Sequence, residues 1–94
     1  MDEERMKKFL KVLSAKGAFD VLVYLDVHET AQYKDLMKFV NTPTLNTRLR
    51  QLLTFDIISH HLERTETRKE WYELTEKGKE VVKHLKAVME MVDS

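Results

Sequence analysis

Apolar residues recur at helical spacing along most of the chain. Met6, Phe9, Leu10 and Leu13 stand at i, i+3, i+4 and i+7, with Lys7, Lys8 and Lys11 elsewhere on the turn, so residues 2–15 read as an amphipathic helix. Gly17 interrupts it as a bend or a C-cap. The period resumes with Ala18, Val21, Leu22 and Leu25, and Phe19, Val23 and Tyr24 widen the stripe. A helix that apolar belongs at the centre of a core. After a short polar break at Glu29–Gln32, the place for a brief strand, Tyr33, Leu36, Met37 and Val40 repeat the spacing over about two turns.

Asn41-Thr42-Pro43 is a sharp turn that restarts a helix, with Thr42 as the expected cap and Pro43 at the first helical position, where no N–H is needed. That helix runs to about Phe55, with Leu45, Leu49, Leu52 and Leu53 on its inner face. Beyond Asp56 the period drops to two. Ile58, His60 and Leu62 share one face, and Ile57, Ser59 and His61 the other. Residues 65–69 are polar and tip-like, and 70–74 alternate again with Tyr72 and Leu74 inward, which predicts a hairpin. Thr75 then caps a last helix to about Val92, apolar at Val81, Val82, Leu85, Val88, Met89 and Val92.

Composition narrows what such a chain can be. At 94 residues it is one domain over 1–94: an N-terminal helix at 2–15, a core at 16–75 and a last helix at 76–93. With 34% charged residues but two Gly and one Pro, the expected class is α+β and mostly helical. The absence of cysteine excludes a disulfide framework, a thiolate zinc site and a redox motif. No apolar run approaches the roughly 20 residues of a membrane span, and the acidic start is unlike a signal peptide, so the expected location is the cytoplasm. Sixteen Lys and Arg balance sixteen Asp and Glu. Any nucleic-acid binding must therefore come from charge placed locally.

Three short helices, the second and third joined by a tight turn, and then a hairpin make a helix-turn-helix with a wing. From Lys16 to Leu85 the sequence resembles winged-helix transcriptional regulators of the HxlR and MarR type, especially the small archaeal ones. The resemblance is carried by Asp35-Leu36, by Thr44-Leu45-Asn46-Thr47-Arg48-Leu49-Arg50-Gln51-Leu52, by Asp56-Ile57-Ile58 and by Tyr72-Glu73-Leu74-Thr75-Glu76-Lys77-Gly78-Lys79. The last of these is similar to the family's Tyr-x-Leu-Thr-x-Lys-Gly signature between wing and final helix. Two positions depart from the pattern: Asp56 stands where the family usually has Gly, and His60 where it often has Arg. The resemblance implies sequence-specific binding of double-stranded DNA.

The helix over 43–55 decides whether that implication has a surface to act through. At about 100° per residue, Thr44, Thr47, Arg50, Gln51 and Thr54 oppose the leucines, with Asn46 and Arg48 flanking. No acid lies between Asn41 and Phe55. Arg can grip guanine, Gln or Asn adenine, and Thr a thymine methyl or a phosphate. In the wing, His60, Arg64, Arg68 and Lys69 are the candidate contacts, though Glu63, Glu66 and Glu70 lie among them and equally fit a salt-bridged hairpin. Trp71 alternates outward, placed to pack on a terminal helix or to stack on a base.

Val81, Leu85, Val88 and Val92 follow a 4-3-4 coiled-coil-like spacing, with Val82 and Met89 beside it, and Met6, Phe9, Leu10 and Leu13 supply a second stripe. These ten residues are the expected homodimer interface, although the two helices could instead pack on each other within one chain. Glu80 and His84 stand at metal-ligand spacing without a third ligand, so neither a metal nor any other cofactor is expected. No catalytic set emerges, no small-molecule ligand is evident, and a protein–protein interaction module without DNA is the alternative function.

Overall fold

The structure is a computed structural model describing residues 2–93. Helix α1 (Glu3–Ser14) starts at Asp2, whose carboxylate accepts from the amides of Glu4 and Arg5 at 3.0 and 3.3 Å. Its buried edge is centred on Val12, which the i, i+3, i+4, i+7 stripe did not include, and Phe9 and Leu13 pack beside it. Met6 and Leu10 face out. Gly17 proves to be the N-cap of α2 (Ala18–His28) rather than a C-cap. Its φ is +86°, and a Cβ there would stand 2.6 Å from Val40 Cγ1. Ala18, Val21, Leu22 and Leu25 are all buried, as an apolar central helix requires.

Strand β1 (Thr30–Ala31) leads into α3 (Tyr33–Leu36), one turn rather than the two expected. The chain leaves the helix at Met37, which stays exposed, and Val40 is buried beside Gly17. Helix α4 (Thr42–Thr54) is capped by Asn41, whose side chain accepts from the Thr44 amide at 3.0 Å. The cap thus lies one residue before Thr42, and Pro43 remains in the first turn, where its missing N–H costs nothing. Leu45, Leu49 and Leu52 enter the core, but Leu53 does not and stays 37% exposed.

The reversal after α4 places Asp56 at φ +59°, the left-handed conformation that Gly would adopt more easily. Strands β2 (Ile58–Arg64) and β3 (Arg68–Leu74) form the antiparallel hairpin, with His60 opposite Tyr72 and Arg64 opposite Arg68. β1 pairs with the other edge of β3, giving the order β1-β3-β2. Helix α5 (Glu76–Glu90) follows, ending in a 3-10 turn at Met91–Asp93. Leu22, Leu25, Leu36, Leu45, Leu52, Ile57, Ile58 and Val82 are fully buried, one core to which helices, strands and α5 all contribute. Val82, expected on a partner-facing seam, is 1% exposed and has no surface to offer a second chain. The fold is a winged helix-turn-helix.

Candidate nucleic-acid interface

Around the axis of α4 the non-leucine residues divide by what they touch. On one flank the Arg48 guanidinium is spent on the protein: Nε donates to the Lys16 carbonyl at 2.8 Å and Nη1 to Gln51 Oε1 at 2.8 Å. That pair ties α4 to the junction between α1 and α2. Arg48 and Gln51, expected to face a DNA groove, are therefore half-buried and engaged with their own chain. On the other flank the Tyr33 hydroxyl donates to Asn46 Oδ1 at 2.6 Å, fixing the amide against α3. From its spacing alone Tyr33 reads only as the start of an apolar stripe. Its polar tip is placed by the short α3, which no local pattern specifies.

Between the flanks lies the outer face, with Arg50 and Thr54 exposed and Thr44 and Thr47 half-buried. The hydroxyls of Thr47 and Thr54 donate back to the carbonyls of Pro43 (3.1 Å) and Arg50 (2.8 Å), so each oxygen keeps only acceptor capacity. Among the described residues Arg50 has no carboxylate within 4 Å. An exposed arginine on an acid-free helix face is the local charge that the neutral composition called for.

The wing mixes free and engaged charge. His60 lies 2.6 Å from Glu70 Oε1 and stacks on Tyr72 with ring centroids 4.8 Å apart, so it belongs to the hairpin surface. Arg68 reaches the other oxygen of Glu70 at 3.4 Å. Arg64 and Lys69 have no carboxylate within 4 Å among the described residues, and Arg64 directly faces Arg68 across the ladder. Like charges so opposed repel each other, and an anion between them would relieve that cost. On the other face of the strand His61 stacks on Trp71 at 5.3 Å and lies 2.8 Å from Ser59 Oγ and 2.7 Å from Glu73. Burial, then the nearby Glu70 and Tyr33 charges, push the Tyr72 phenol above its ordinary pKa. Glu80 and His84 form an exposed pair at 3.6 Å, and no group of three or more His, Asp and Glu gathers as a metal site among the described residues.

Between α3 and the wing runs a groove of about 630 Å³ with Gln32, Tyr33 and Lys34 on one wall and Arg68, Glu70 and Tyr72 on the other. Lys34 and Arg68 thus share one groove with the hydroxyl that holds Asn46.

The sequence model of the HxlR-like helix-turn-helix family matches residues 7–94. No curated protein matches the sequence significantly. Among solved structures, a MarR-family transcriptional regulator from Enterococcus faecalis superposes with a TM-score of 0.81 at 16% identity, covering 99% of this chain and 87% of its own. The transcriptional regulator ytfH from Salmonella typhimurium superposes with a TM-score of 0.78 at 20% identity, covering 94% and 80%. A transcriptional regulator homologue from Pyrococcus horikoshii gives 0.66 at 18% identity, covering 94% and 99%. At these identities the likeness is one of fold.

Proposed function

The chain belongs to the HxlR-like helix-turn-helix family, and from that premise we propose that it is a transcriptional regulator that binds specific double-stranded DNA sites as a homodimer. In this reading α4 enters the major groove through Arg50, Thr47 and Asn46, and the wing meets the backbone or minor groove through Arg64, Arg68 and Lys69. The observation that carries it is the outer face of α4, which has an exposed arginine, three threonines and no acid in a chain of balanced charge. The dimer is supported by apolar side chains that the single chain leaves uncovered: Met6 and Leu10 on α1, and Val88, Met89 and Val92 at the C-terminal end.

Base contacts and phosphate contacts respond differently to sequence and to salt, and that separates them by experiment. On a duplex selected from random DNA, Arg50→Ala is expected to cost about 1–3 kcal/mol and to relax preference at one or two positions. Lys69→Ala is expected to weaken all duplexes alike and to lower the salt slope by about one per subunit. Equal, sequence-independent losses in both variants would reject α4 as the reading helix. Absence of binding by the wild type at low salt would favour the protein–protein interaction module.

A further inference from the structure

Resting on that reading, we propose that α1, which lies outside the helix-turn-helix, is a third DNA-contacting element that grips the backbone beside the groove entered by α4. Lys8 and Lys11, one turn apart on α1, face Arg50, Gln51 and Thr54 of α4 across a groove of about 300 Å³ floored by Val12 and Phe55. Among the described residues no carboxylate lines it. Four other grooves on the molecule each carry at least one: Asp2 in the first, Asp26 in the second, Glu70 in the third and Asp35 in the fourth. In a chain with as many acids as bases, a groove lined by three cationic residues and no acid stands apart from the other four.

The neighbouring lysine supplies a contrast. Lys7 is 3.9 Å from Glu3, whereas neither Lys8 nor Lys11 has a carboxylate within 4 Å among the described residues. The groove is also continuous with the proposed reading face, because Arg50 and Thr54 belong to both. A duplex seated on α4 therefore presents its nearest sugar-phosphate strand to Lys8 and Lys11. Flexible ammonium groups suit phosphates as point charges and carry no base preference of their own. Met6 and Leu10 occupy the other edge of α1, so the helix can serve a partner chain and DNA at once.

The test measures binding against salt concentration for the full chain and for the double variant Lys8→Ala/Lys11→Ala, on selected and random duplexes. Alanine favours helix at both exposed positions, and circular dichroism checks the fold. Loss of two phosphate contacts lowers the slope by about two per subunit, so between 50 and 200 mM salt the wild type loses about tenfold more affinity per subunit than the variant. Lys8→Arg/Lys11→Arg keeps the slope. The control Lys7→Ala/Lys83→Ala removes the same charge elsewhere and is expected to leave the slope unchanged. An unchanged slope in the first variant, or an equal drop in the control, would overturn α1 as a contact while leaving the reading helix intact. A wild type that binds no duplex would overturn both readings.

Discussion

Gly78 lets the first turn of α5 close against the entry to β2. A Cβ built there would lie 2.0 Å from the Ile57 carbonyl oxygen, and that oxygen also accepts from the Thr75 amide at 3.1 Å and so has little freedom to retreat. The glycine is needed for a close backbone approach, which explains why it ends the Tyr-x-Leu-Thr-x-Lys-Gly segment. Gly78→Ala is expected to destabilise the domain by at least about 1–3 kcal/mol through overpacking. A urea titration checks this: the midpoint should fall while the slope stays that of the wild type. Asp56 makes the complementary point. It holds a left-handed φ without being glycine, a conformation that Asp tolerates better than most residues.

One hydroxyl adds to the backbone contacts between the entry to the wing and α5. Thr75 Oγ1 accepts from the Gly78 amide at 2.9 Å and donates to the Asp56 carbonyl at 2.7 Å, with the Ile57 carbonyl at 3.1 Å. It caps α5 and at the same time fixes the strand entry on the opposite side of the hairpin. Thr75→Ala is therefore expected at the upper end of the range for a lost cap, about 2 kcal/mol, and Thr75→Ser should retain most of the stability. Thermal unfolding of the two variants tests the pair. A Thr75→Ala loss of only a few tenths of a kcal/mol would show that this hydroxyl stabilises neither the cap nor the strand entry. By contrast, α3 is set from outside itself. Its spacing promises two turns, and it stops after one where the chain carries Val40 in beside Gly17.

The whole chain is more extended than its length requires. Its Cα radius of gyration is 14.0 Å, and its longest dimension is 49 Å. A compact domain of this size would have a radius of about 12 Å. Two parts of the chain leave the body: the hairpin tip, exposed from Leu62 to Lys69, and the C-terminal stretch, exposed from Ala87 to Asp93. Apolar surface on a projecting helix is the usual mark of a partner. Leu10 and Val88 are more than 60% exposed, so charge can be placed there without entering the core. Leu85 packs against the core, and charge there would threaten the fold as well. Leu10→Asp/Val88→Asp is expected to sediment as a folded monomer at tens of micromolar, a rough working concentration at which the wild type is expected to be a dimer. A monomeric wild type at that concentration would end the dimer proposal.

Which segments are helix and which strand was legible from local spacing, apart from the second turn promised for α3, because periods of 3.6 and 2 follow from backbone geometry and need no knowledge of neighbours. The central apolar α2, the leucine stripe of α4 and the hairpin with Tyr72 and Leu74 inward were all legible that way. The acid-free face of α4 was legible too, since its residues are fixed relative to one another by the helix. What each face meets was set by the tertiary fold. It assigned Val12 and Val82 to the core, left Leu53 out of it, turned Arg48 onto the Lys16 carbonyl and His60 onto Glu70, and brought Lys8 and Lys11 beside Arg50. Those outcomes depend on how one element is docked against another. That docking is set by contacts between residues far apart in the chain, which a local period cannot encode.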